Sequence, residues 1–350
     1  MRDRVVTADF VQPDDWTTSG AFEAAPNVFR VPLPLPNDGL KAVNVYVLRN
    51  AAGDLTLIDS GWAIPEAREL LVGALDKLGH GPGDIRRFLV THIHRDHYTL
   101  AVQLRREFGT AVAVGAGEAP SFEAIMTPDR RPFEQELGRM RTLGAFELAD
   151  RMRQLHDRHE PPTENPWELP DEWLSPSRVD AAGRELEVVP TPGHTRGHVV
   201  FYDTSASLLF AGDHVLPTIT PSIGLDPALV ANPLGDFLDS LALVRSRPDA
   251  MLLPAHGPVA PSVHARVDEL VAHHGSRLDQ TEAAVHAGAS TAYDAATQLR
   301  WTRRGRRLDE LDLFNQMLAI GETGAHLELL VVQGRLRAVE EDGVRHYYVS

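Results

Sequence analysis

The run Thr91-His92-Ile93-His94-Arg95-Asp96-His97 constrains this chain more than any other feature. It carries three imidazoles and a carboxylate on one short segment, directly after the apolar, strand-like Phe88-Leu89-Val90. Imidazole and carboxylate are donors that zinc and iron accept, and donors already on one loop need little further ordering. His92 and His94 alternate with Ile93, so in an extended segment both project to one side. Asp96 and His97 follow where the chain must turn into a helix, which aims them toward a second, adjacent metal.

Such a loop needs partners, and three later segments offer them. Pro192-Gly193-His194-Thr195-Arg196-Gly197-His198 follows the apolar Leu186–Val189 stretch. Phe210-Ala211-Gly212-Asp213-His214 follows Leu208-Leu209, and Pro254-Ala255-His256-Gly257 follows Met251-Leu252-Leu253. Each reads as a short buried strand ending in a glycine-bearing turn that presents a His or an Asp. A rigid sandwich can hold groups collected from several strand ends in fixed geometry.

The set His92-x-His94-x-Asp96-His97, then His194, Asp213 and His256, resembles the metallo-β-lactamase superfamily, in order and strand-end placement, across roughly residues 28–258. The resemblance implies a four-layer αβ/βα sandwich and two divalent metal ions, with zinc expected and iron or manganese as alternatives. It places His92, His94 and His194 on one ion and Asp96, His97 and His256 on the other, with Asp213 bridging. Leu57-Ile58-Asp59-Ser60-Gly61 resembles the family's early strand and turn, where Asp59 would accept a hydrogen bond from a ligand imidazole; a turn-capping carboxylate is the alternative. Thr91 and His214 are expected to support the ligands in the same way. Asp96, Asp213 and His198 are the candidate catalytic residues: Asp96 would orient a hydroxide held between the ions, and His198 would donate a proton or a hydrogen bond.

Composition bounds the rest. At 350 residues the chain easily buries a core, and it has no cysteine, so disulfides and thiolate ligands are excluded. That absence, with the bridging Asp213, counts against β-lactamases that use a Cys ligand. Met1-Arg2-Asp3-Arg4 lacks an apolar signal core and no apolar run reaches spanning length, so a cytoplasmic, soluble protein with no membrane partner is expected. The net charge of −15 argues against broad nucleic-acid binding, which needs a positive surface.

Strands are expected at 28–35, 43–49, 55–59 and 111–114, with helices at 64–78 and 99–108. Residues 118–180 read as a helical insert, since Phe133, Leu137, Met140, Leu148, Met152 and Leu155 recur at helical spacing before a Pro- and Trp-rich stretch. Lying between ligand segments, it is expected to form a lid or substrate wall; His156 and His159 within it read as surface residues. A catalytic domain is expected over 1–258 and a C-terminal domain over 259–350, with helices at 262–289, 308–320 and 323–334 and a hairpin around Glu341-Asp342-Gly343. That tail resembles the winged-helix module of some superfamily members. Its 8 Arg are matched by 8 Asp plus Glu over 300–350, so packing or homodimerisation is expected rather than nucleic-acid binding.

The ligand pattern most resembles the glyoxalase II group, which hydrolyses thioesters. After Asp96-His97, where the family usually has small residues, this chain has Tyr98-Thr99-Leu100, and Tyr98 is expected to contact substrate. No basic glutathione-binding set is evident near the C-terminus. A thioester or related carboxylic ester of a small acyl compound is therefore the expected substrate. The alternatives are a lactone, RNA cleaved by a nuclease of the winged-helix-bearing type, and a persulfide oxidised by an iron dioxygenase.

Overall fold

The computed structural model describes residues 12–36, 39–127, 132–157, 166–228 and 230–350. Its first sheet follows chain order: β1 (Phe22–Ala25), β2 (Val28–Pro34), β3 (Ala42–Arg49), β4 (Leu55–Ile58), β5 (Ile85–Val90), β6 (Ala111–Gly115) and β7 (Glu172–Leu174). Pairing is antiparallel up to β4 and parallel from there. The parallel half requires crossovers, which helices α1 (Pro65–Lys77) and α2 (Arg95–Phe108) supply. The second sheet runs β12-β11-β10-β9-β8, from β8 (Ser177–Ala181), β9 (Arg184–Pro190), β10 (Val199–Asp203), β11 (Leu208–Gly212) and β12 (Met251–Pro254).

Period-two alternation assigns each residue to a layer. In β3, Val43, Val45 and Val47 face α1 and α2, whereas Tyr46 and Leu48 face the second sheet. In β10, Val199 and Phe201 meet the first sheet, while Val200 and Tyr202 meet helices on the far side. Both faces of both sheets are therefore buried, which gives the expected helix–sheet–sheet–helix sandwich. Burying each large apolar side chain such as Phe88 or Phe201 contributes about 1.5–3 kcal/mol.

The outer face of the second sheet is covered by α6 (Pro233–Arg245) and α7 (Val263–His286), and beyond them by α8 (Ala292–Gln298) and α9 (Leu313–Val332). Insert helices α4 (Pro132–Thr142) and α5 (Phe146–His156) join the same cluster through Leu137, Met140, Leu148 and Ala149, and α3 (Ala119–Met126) precedes them. The hairpin β13 (Leu336–Glu341) and β14 (Val344–Val349) packs on α7 and α9. Apolar packing continues without a break past residue 259.

Four expectations need correction. The helices read at 308–320 and 323–334 are one helix, α9, because Gly321 and Gly324 sit where α4 and its loop approach and do not interrupt the hydrogen-bonded turns. The remaining short helix is α8, marked by a capping box between Thr291 and Asp294. The 118–180 insert ends in strands β7 and β8, which edge the two sheets. Helix α2 begins at Arg95 rather than 99, so Asp96 and His97 lie in its first turn. His156 is exposed, as expected of a surface residue, and stacks on Phe133 at 4.0 Å; His159 lies outside the described residues.

Candidate metal centre

The sequence-predicted donors come together at the strand ends between the sheets. His92 Nε2, His94 Nδ1 and His194 Nε2 stand 3.0–3.3 Å from one another, a spacing one tetrahedral ion produces. Beside them, Asp96 Oδ2 lies 3.6 Å from His97 Nε2 and 3.5 Å from His256 Nε2. Asp213 lies between the groups: Oδ2 is 3.4 Å from His194 Nε2, and Oδ1 is 3.3 Å from His256 Nε2.

Each Nε2 is aimed by what the opposite ring nitrogen does. His97 Nδ1–H donates to Asp59 Oδ2 (2.9 Å), His194 Nδ1–H to the Ser222 carbonyl (2.7 Å) and His256 Nδ1–H to the Ala42 carbonyl (2.7 Å). His92 Nδ1 meets Thr91 Oγ1 at 3.0 Å, and the Thr91 hydroxyl donates to Asp59. One carboxylate thus orients two of the donor rings, one in each group. Asp59 does this from a left-handed backbone conformation (φ 60°), one that Asp tolerates better than most residues.

The donor set fits a cation. His97 Nε2, His256 Nε2 and Asp213 Oδ1 are buried and make no hydrogen bond. Leaving such groups unsatisfied costs about 1–3 kcal/mol each, a cost that an ion accepting their lone pairs removes. The electrostatics agree. Burial opposes charge on His97, yet Asp96, Asp59 and Asp213 outweigh it and lift the imidazole to about 10. Burial likewise opposes ionisation of Asp213, but His256, His97 and His194 hold it well below the usual carboxylate range. In the three-histidine group burial, joined by the neighbouring rings, keeps His92 and His94 neutral and ready to donate to a metal, whereas His97 would release its proton as the cation replaces it.

Three supporting assignments change. Tyr98 is wholly buried, packed edge-on to Phe122, and its hydroxyl donates to the Glu168 carbonyl (2.8 Å). Both its ring and its hydroxyl are thus engaged by the protein itself, which gives Tyr98 a packing role. His198 Nδ1–H bonds Thr191 Oγ1 (2.8 Å), and its Nε2 accepts from the Asp213 backbone N–H (3.1 Å). It holds the Asp213 loop in place, and its one N–H is committed to Thr191. His214 makes no hydrogen bond to a donor residue: it is buried edge-on to Phe237 at 5.1 Å.

Two positioning residues escaped the sequence reading. Glu118 Oε1 accepts from the Ile93 N–H (3.3 Å) and the Thr195 hydroxyl (2.5 Å), tying the His92–His94 loop to the His194 loop. Burial raises its carboxyl to about 8. Asn44 Nδ2 donates to the carbonyls of Pro254 (3.0 Å) and Gly257 (2.8 Å), bracketing His256. The available signals were a lone Asn in an apolar strand and a Glu closing Gly115-Ala116-Gly117. A separate group, His274, Glu322 and His326, lies between α7 and α9. There His274 Nδ1 already pairs with His326 Nε2 (3.2 Å) and the cationic Arg277 is close by, so it is a polar tie between helices.

Residues 38–256 match the family model described as the metallo-beta-lactamase superfamily. A metallo-beta-lactamase family protein of Thermus thermophilus, TTHA1429, superposes with a TM-score of 0.73 at 29% identity, covering 93% of this chain and 99% of that one. The probable metallo-hydrolase YqjP of Bacillus subtilis is 24% identical over 327 residues, 91% of this chain and 96% of that protein. The hydroxyacylglutathione hydrolase GloC of Haemophilus influenzae is 24% identical over 181 residues, 50% of this chain and 69% of that protein. Some matches are local: the chain spans only 31% of a Caenorhabditis elegans beta-lactamase-like protein 2 homolog.

Proposed function

The chain belongs to the metallo-β-lactamase superfamily, and from that premise we propose that it is a metal-dependent hydrolase of a thioester or related carboxylic ester of an acyl compound. The observation that carries this reading is Asp213, whose two oxygens face different donor groups. His92, His94 and His194 would hold one cation, Asp96, His97 and His256 a second, and Asp213 both. Two divalent ions, zinc foremost and iron or manganese acceptable to the same donors, would supply Lewis acidity and a water ionising near neutrality.

The chain's own groups then have defined tasks. Asp96 is the more exposed of the two carboxylates, at 14% of its side chain, and would orient the attacking water and take its proton. Asp59 and Thr91 keep the imidazoles in the tautomer that binds metal. Two features favour an acyl substrate over RNA. Hydroxyacylglutathione hydrolases are among the distant relatives, and the basic run Arg303–Arg307 is partly neutralised, with Arg307 3.4 Å from Asp309.

The test is a panel of acyl thioesters, lactones, phosphodiesters and short RNA on metal-loaded protein, with metal analysis. We expect two metals per chain, thioesters or esters as the best substrates, and at least a hundredfold loss of turnover in His94→Ala. Full turnover by that variant overturns the assignment, and a single iron redirects it to oxidation of a persulfide.

A further inference from the structure

A cavity of about 190 Å³ lies where the Gly193–Arg196 loop, residues 224–228 and 230–233, α4, α9 and β14 meet. Its wall is continuous with a ligand loop: Gly193 precedes His194 and Arg196 follows it. Ser222, whose carbonyl holds His194 Nδ1, lies two residues before Gly224 in the same wall. The volume is below the roughly 300 Å³ at which pockets enclose a whole drug-sized ligand, so it suits one end of a molecule.

Three arginines line it, Arg139, Arg196 and Arg345. The two carboxylates there are already committed. Glu328 accepts from Arg345 (3.0 and 3.1 Å) and from the Tyr347 hydroxyl (2.7 Å). Asp226 accepts from the Ser121 hydroxyl and from the backbone N–H groups of Ala228 and Arg196. Arg139 gives Nη1 to the Gly224 carbonyl, and its Nη2 sits in a notch that glycines keep open. A Cβ on Gly224 would come 2.8 Å from that nitrogen, and one on Gly321 3.2 Å. Among the described residues the Arg196 guanidinium has no hydrogen-bond or ion-pair partner. Arg196 thus keeps its guanidinium donors unspent, and Arg139, 3.9 Å from Glu136 through Nη1, keeps Nη2, in a recess walled in part by the loop that carries His194. Arginine presents those donors in the geometry that carboxylate and phosphate accept.

We propose that this cavity binds an anionic end of the substrate, a carboxylate or phosphate remote from the scissile carbonyl, through Arg196 and Arg139. The inference rests on the hydrolase reading and deepens it. It also gives the C-terminal segment a task, because α9 and β14 supply the far wall.

The test uses full-length, metal-loaded protein and thioesters of one acyl chain ending in a carboxylate, a phosphate or a neutral amide. We expect kcat/KM for one or both anionic members to exceed the amide by about 10- to 100-fold, the worth of one charge-assisted contact. In Arg196→Ala that ratio collapses toward one, mainly through KM, and Arg196→Lys restores part of it. Which anion gains more identifies the head group. Calorimetry with inorganic phosphate separates this inference from the hydrolase reading. Phosphate binding lost in Arg196→Ala, on a protein that cleaves no thioester, retains the cavity and rejects the reaction. A water-filled seam predicts no anionic advantage in the wild type, and phosphate affinity unchanged in the variant; either result overturns the proposal.

Discussion

Asp59 Oδ2 lies 2.9 Å from His97 Nδ1, with both side chains shut off from solvent. The same carboxylate accepts the backbone N–H (2.8 Å) and the hydroxyl of Thr91, so every group facing it is a donor. Asp59→Asn keeps the shape but turns an N–H toward one of those donors. The expected result is a 10- to 100-fold loss of affinity for one of the two metals. A chelator-competition titration measures it, and two unchanged affinities would contradict the assigned role.

Glu118 gives a pH prediction. Its carboxyl is raised by burial from 4.5 to about 8, so the folded protein favours the neutral acid. The stability this gives is full below about pH 4.5 and is lost as pH rises through 8. Glu118→Gln imitates the neutral form and should flatten that part of the Tm-against-pH curve. Parallel curves for variant and wild type would show that Glu118 does not titrate in that window.

Gly212 has no room for a side chain. Its φ is +50°, and a Cβ would come 2.6 Å from His198 Nε2 and 2.7 Å from Thr91 Oγ1. Gly212→Ala should cost about 1–3 kcal/mol of stability and lower metal content, because the neighbouring Asp213 must shift. Denaturant midpoints and elemental analysis together check this; a variant normal in both would mean the contact relaxes freely.

Tyr98→Phe removes only the hydroxyl that donates to Glu168. Stability should fall by about 0.5–1.5 kcal/mol with KM unaltered. A KM change of tenfold or more would return Tyr98 to the substrate pocket.

Much of the centre was legible beforehand because the donors announce themselves locally. His92, His94, Asp96 and His97 sit at one strand end, and His194, Asp213 and His256 each close an apolar run with a glycine nearby. The bounds of β2, β3 and β4 followed from alternation and turn residues. Helix α9 was misread because two glycines look like breakers in isolation, whereas packing against α4 favours their missing side chains.

The sequence alone determined the identity and order of the donors and which residues of each strand share a face, since covalent spacing and side-chain periodicity settle both. Tertiary structure decided the rest. The partner of His256 Nδ1 is a carbonyl 214 residues away, and Asp213 faces both donor groups only because of how the sheets stack. The burial of Tyr98, the tether through Glu118 and the meeting of α4 with α9 are of the same kind. Each depends on where distant segments come to rest, which is set by the total packing free energy and not by any local stretch of chain.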